Sequence, residues 1–79
     1  MIGYHCTTEK KLKRYHETGC ILPVVRFWGS ERYAREWQTK TGRSVLLKIN
    51  VRNYHPMPDH KPLGRAFFTF DHIREWEIL

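Results

Sequence analysis

The chain has 79 residues, with 14 lysine or arginine and eight aspartate or glutamate side chains, which give a formal net charge of +6 and a pI of about 9.7. A chain of this length has room for one domain with one core, and such a domain buries only about 60% of the surface that its unfolded chain exposes. The sequence therefore predicts a single compact domain over residues 1–79. The basic charge is typical of an anion-binding protein, and it is equally typical of a small domain that its charge keeps in solution.

The two cysteines and the hydropathy pattern bear on the compartment. Cys6 and Cys20 are too few and too far apart for a disulfide framework or a paired zinc motif, so they are interpreted as free thiols in a reducing compartment. The N-terminus has no basic-then-apolar signal segment, and no apolar run approaches the ~20 residues that a membrane span needs. We therefore expect a cytoplasmic protein without a membrane partner.

The first structural unit is a strand followed by a helix. Residues 1–6 alternate in hydrophobicity as a short strand does, and Thr7 or Thr8 can cap a helix over residues 9–17. Gly19 is suited to the left-handed position that ends such a helix. The three- and four-residue spacing predicts an inner helix face composed of Leu12, Tyr15 and His16.

The second unit repeats this design. Residues 24–28 form a β-branched and aromatic run typical of a strand, and Ser30 can cap a helix over residues 31–41 that Gly42 ends. The predicted inner face of this helix comprises Tyr33, Ala34, Trp37 and Thr41.

The second half is richer in strands. Residues 44–51 alternate with period two, which predicts a strand with one apolar face and with Leu46 on the other face. Residues 52–64 contain three prolines and a glycine, which predicts an irregular surface loop. Residues 66–70 resume strand character, and Asp71 can cap one helical turn before a last short strand.

The element order predicted from these patterns is β-α-β-α-β-loop-β-turn-β. Early helices and a strand-rich second half favour an α+β fold, a small, twisted and mostly antiparallel sheet covered by two helices.

A motif in the first 50 residues resembles a known family. Tyr4-His5-Cys6-Thr7, followed by Leu12, Thr18-Gly19 and Ile21-Leu22-Pro23, resembles the opening of ADP-ribosyltransferase-like domains and RNA 2'-phosphotransferases. The resemblance continues through residues 25–30, the second helix and Gly42-Arg43. It implies that a nucleotide such as NAD, or a nucleic-acid end, binds near His5. If the protein is an enzyme, it implies an NAD-dependent ADP-ribosyl or phosphoryl-type transfer.

The resemblance also implies roles for individual residues. His5 would hydrogen-bond the ribose or nicotinamide side of NAD with support from Thr7, and Arg26 would meet a phosphate. The ring that stacks on the nicotinamide would be that of Phe27, Trp28 or Tyr33. Glu75 and Glu77 are the only late glutamates, so they are the candidates for the catalytic or ribose-anchoring carboxylate. Because both lie near the C-terminus of a chain that is short for this family, a non-catalytic relative stays open.

Other interpretations stay open from the residues alone. His5 is explained equally well as a strand-end histidine that bonds the backbone. Converging basic residues with stacking from Tyr54, Trp28 or Phe68 would instead make a non-catalytic nucleic-acid-binding module, and a protein-interaction module is the other non-catalytic alternative. His55, Asp59 and His60 form a local cluster in the proline-rich loop, where a solvated turn explains them and no metal is expected. A shallow cleft would also be consistent with a homodimer that completes the site.

Overall fold

The computed structural model describes residues 1–57 and 66–79, which form two helices and one antiparallel sheet. The elements in chain order are β1 (Ile2–Thr7), α1 (Glu9–Thr18), β2 (Val25–Trp28), α2 (Glu31–Thr41), β3 (Val45–Asn50), β4 (His55–Pro56), β5 (Ala66–Thr69) and β6 (Glu77–Ile78). The sheet order is β4-β5-β2-β1-β3-β6, and neighbouring strands of the described residues pair antiparallel throughout. The predicted α+β fold is confirmed.

The helix termini follow from their capping residues. Thr8 is the N-cap of α1, where its hydroxyl accepts a hydrogen bond from the backbone N–H of Lys11 at 3.2 Å. Gly19 and Gly42 end the two helices with φ of 71° and 69°, a left-handed conformation that costs other residues about 1–2 kcal/mol. Ser30 is the N-cap of α2, but its side chain makes no capping hydrogen bond.

The two helices cover opposite faces of the sheet. Leu12 and Tyr15 of α1 pack against one buried cluster, whereas Ala34 of α2 lies in a second cluster on the other face. Alternate strand residues point to opposite faces, so β2, β3 and β5 each contribute to both clusters. The α1-side cluster contains Ile21, Val25, Phe27, Val45, Leu47, Ile49, Val51, Phe67 and Ile73, and the α2-side cluster contains Cys6, Trp28, Ala34, Leu46 and Ala66.

The prediction that β3 has only one apolar face is wrong. Leu46 is 1% exposed, because α2 covers the face that the alternation had assigned to solvent. The sequence pattern underestimated this face because Leu46 is a single apolar residue flanked by Ser44 and Lys48.

Two predicted inner-face residues are exposed. The ring of His16 lies 5.6 Å from that of Trp76, between centroids, but His16 remains exposed. Thr41 is also exposed, and its hydroxyl donates to the backbone oxygen of Trp37. His16 is the eighth of the ten residues of α1 and Thr41 is the last residue of α2, and neither packs in a buried cluster.

The segment after β5 contains no helical turn, in contrast to the prediction for Asp71. Ile73 exchanges backbone hydrogen bonds with Ile21 at 2.7 and 3.2 Å, which holds the segment extended. The carboxylate of Asp71 instead accepts hydrogen bonds from the backbone and side-chain N–H groups of Asn53. These bonds attach the loop after β3 to the end of β5.

The proline-rich loop is only partly described. Its residues His55 and Pro56 form β4 at the sheet edge, where a missing proline N–H costs no ladder bond. The rest of the predicted loop from residue 58 onward lies outside the described residues. Within the described ranges, no helix is long and apolar enough to cross a membrane.

Candidate functional site

The sheet opens between its two central strands. Strand β1 pairs with β3 along all six of its residues, but it pairs with β2 only at Tyr4 and Trp28. Beyond that pair the continuous ladder stops, although both strands continue to Thr7 and Val25. The backbone on both sides of this opening therefore needs other hydrogen-bond partners.

The side chain of His5 bridges the opening. Its Nδ1 lies 2.6 Å from the backbone oxygen of Arg26, and because a carbonyl can only accept, Nδ1 carries the proton and donates. In the neutral ring Nε2 is then an acceptor, and it lies 3.4 Å from the hydroxyl of Tyr15. The Tyr15 hydroxyl is also 3.3 Å from the hydroxyl of Thr7. One histidine thus replaces a ladder bond and leaves its second nitrogen with only a long contact.

The surroundings of His5 keep its ring neutral. Burial lowers the pKa of His5 below its ordinary value, the bond to the Arg26 carbonyl opposes this, and the positive charges of Arg43 and Lys11 lower the pKa further. The positive charges of Arg43 and Lys11 therefore lie close enough to act on this ring.

Arg43 occupies the other side of the opening. It follows the glycine that ends α2, and its guanidinium donates from Nη1 to the backbone oxygen of Cys6 at 3.1 Å. Arg43 is half-buried and has further N–H donors available toward the cleft. The Arg43 side chain therefore bonds the backbone of β1, and the His5 side chain bonds the backbone of β2.

A cavity of about 440 Å³ lies at this opening, which is within the range of small-molecule and cofactor sites. Its lining contains four cationic side chains from α1, β2 and the turn before β3, and no carboxylate occurs among the described residues that line it. Those four residues are Lys11, Arg14, Arg26 and Arg43. The arrangement is suited to a ligand that carries several negative charges.

The predicted site residues separate into two groups. His5, Arg26 and Trp28 line the cavity. Thr7 is fully buried behind it and contacts the Tyr15 hydroxyl, and Tyr33 packs in the α2-side cluster without lining the cavity.

Glu75 and Glu77 lie away from this cavity. Both are exposed and neither is among the residues that line it. Glu77 belongs to β6 and pairs with Lys48. In the sheet order, β1 and β3 lie between β6 and the opening.

Neither cysteine has the environment of a nucleophile. Burial raises the pKa of the Cys6 thiol, an effect that Arg43 partly opposes, and the thiol donates to the backbone oxygen of Ala34 at 3.1 Å. Cys6 and Cys20 are both buried and free.

A metal site is not evident in the described ranges, where no group of three His, Cys, Asp or Glu side chains is placed to hold a metal ion. Of the loop cluster considered in the sequence, Asp59 and His60 lie outside the described residues.

Sequence reasoning missed most of the cationic lining. The inner face predicted for α1 left out Lys11 and Arg14, and it gave Tyr15 only a packing role. A signal was present, because Lys11, Arg14, Tyr15 and Thr18 have the spacing i, i+3, i+4 and i+7 of one helix face. Arg43 carried no comparable signal, since its role depends on a long-range contact with Cys6.

Comparisons of this chain with family profiles, with curated proteins and with solved structures returned no match.

Proposed function

We propose that the cleft between β1 and β2 binds a nucleotide, with NAD as the ligand that the sequence resemblance names. The observation that carries the proposal is the combination of a strand opening with four cationic side chains and no described carboxylate in its lining. The location of His5 and Arg26 in that same lining is consistent with the resemblance, which assigned both residues to NAD.

The chemistry of each group supports a nucleotide over a simple anion. Arginine forks bind phosphate oxygens in bidentate geometry, and Arg26 and Arg43 line opposite sides of the opening. The Nε2 of His5, which has only a long contact to Tyr15, can accept a hydrogen bond from a ribose hydroxyl, and the Tyr15 hydroxyl can donate one to the neighbouring hydroxyl. Trp28 and Trp37 add aromatic lining, as base or nicotinamide recognition requires.

The proposal is binding and not transfer, because neither Glu75 nor Glu77 is among the lining residues. We also propose a cytoplasmic location, since free thiols such as Cys6 and Cys20 are typical of a reducing compartment.

Calorimetric titration of NAD into the purified protein tests the proposal. Saturable binding is expected, and His5→Asn should weaken it because asparagine keeps a donor for the Arg26 carbonyl but lacks an equivalent of Nε2. Arg26→Gln should weaken binding through the lost phosphate contact. Ile78→Ala, at an exposed position on β6, is the matched control and should bind like the wild type. Absence of saturable NAD binding to the folded wild-type protein would contradict the proposal.

A further inference from the structure

Three aromatic rings form an exposed cluster near the β4 edge of the sheet. The ring centroids of His55 and Phe68 are 5.3 Å apart, those of Phe68 and Phe70 are 5.7 Å apart, and those of His55 and Phe70 are 6.2 Å apart. Phe70 is 61% exposed, and His55 is also exposed. We call His55, Phe68 and Phe70 the aromatic platform.

A cation continues the platform toward the cleft. In the sheet register Phe68 lies directly opposite His55 on one side and Arg26 on the other. Directly paired residues in neighbouring strands point to the same face, so these three side chains form one row. Arg26 is exposed and also lines the cleft.

No helix packs on this row in the described structure. The adjacent row contains Ala66 and Trp28, which α2 covers through Ala34 and Trp37. Phe68 and Phe70 belong to neither buried cluster. The rings are therefore available to a partner and are not required to complete the core.

We propose that the aromatic platform binds single-stranded nucleic acid, with bases stacked on Phe70 and Phe68 and a backbone phosphate on Arg26. Exposed rings beside a basic side chain are the elements of a stacking platform. The net charge of +6 favours a polyanion as the partner. Asp71 directly follows Phe70, and its carboxylate accepts hydrogen bonds from Asn53. We therefore expect the phosphate backbone of the bound nucleic acid on the Arg26 side of the platform.

This site does not depend on the proposed function of the cleft. The two sites share Arg26, but no ring of the aromatic platform lines the cleft. A substitution at Phe70 therefore separates them, because it alters nucleic-acid binding and leaves NAD binding unchanged.

Fluorescence anisotropy with labelled 12-nucleotide oligo-U and oligo-dT probes at low and high salt tests the proposal. The wild-type protein should bind, with affinity that falls steeply as salt rises. Phe70→Leu removes the ring but keeps an apolar side chain, and it should weaken binding about 5-fold or more. Phe70→Tyr keeps the ring and should preserve binding. Ile78→Ala is the control, because Ile78 is a similarly exposed apolar residue on β6, the strand at the opposite edge of the sheet.

The contrary outcomes are distinct. Equal affinity of the wild type and Phe70→Leu, or no binding of either probe at low salt, would overturn the proposal. A wild-type mass in solution twice that of the Phe70→Leu variant would overturn it too, because the platform would then be an interface between two copies of the chain. Stronger binding of oligo-U than of oligo-dT would identify RNA as the preferred form. Thermal melts of each variant establish that all are folded.

Discussion

Replacement of His5 should destabilise the fold through the backbone of the neighbouring strand. In His5→Ala the carbonyl oxygen of Arg26 loses the 2.6 Å bond from Nδ1, and no ladder partner exists at this point of the opening. An acceptor left without a partner costs about 1–3 kcal/mol when it is buried, and because this bond lies at an exposed position the cost should be near the lower end. For a domain of this size, each 1 kcal/mol lowers Tm by about 4–8 °C.

The paired variant His5→Asn makes this prediction specific. The asparagine Nδ2 takes nearly the place of Nδ1 and can donate to the same carbonyl, so His5→Asn should recover at least half of the lost free energy of unfolding. Urea unfolding of both variants and the wild type, followed by circular dichroism, measures the difference. Equal destabilisation by the two substitutions, or none by either, would refute the argument that His5 bridges the two strands.

Three further predictions concern titration, packing and reactivity. Because burial lowers the pKa of His5 in the folded state, the contribution of His5 to the free energy of unfolding is complete above the unfolded-state pKa of 6.5 and is lost as the pH falls below that value. Acidification should therefore narrow the difference in free energy of unfolding between the wild type and His5→Asn, measured by urea titration. Gly3→Ala would place a Cβ in steric conflict with the ring of Phe27 and should lower the free energy of unfolding by about 1–3 kcal/mol. A thermal melt as stable as that of the wild type would contradict this packing. The buried Cys6 thiol, whose pKa burial raises, should react with iodoacetamide only at the rate of unfolding, and rapid stoichiometric alkylation of the native protein would contradict its placement.

The helices were predictable because their signals are local. Thr8, Gly19 and Gly42 act within one helical turn, and the helix bounds accordingly agree with the sequence to within one residue. The burial of Leu46 was not predictable in this way, because it depends on which face α2 covers.

The sequence predicted two alternatives for His5, but it did not predict the strand opening that His5 bridges. The sequence offered a ligand-binding histidine and a backbone-bonded histidine as alternatives, and the structure shows the backbone bond to Arg26 together with a lining position. The opening between β1 and β2 depends on missing strand pairs far apart in sequence. Neither residue periodicity nor spacing encodes such a feature directly, so the cleft and the role of Arg43 had no sequence signal.

The central claim, that a nucleotide binds in the cleft, is tested most directly by the indole N–H resonances of the three tryptophans during an NAD titration. Trp28 and Trp37 line the cleft, whereas Trp76 does not and serves as the internal control. We predict saturable shifts of the Trp28 and Trp37 resonances with a much smaller shift of Trp76. In His5→Asn the same shifts should require a higher NAD concentration. Unchanged Trp28 and Trp37 resonances at saturating NAD would contradict the claim.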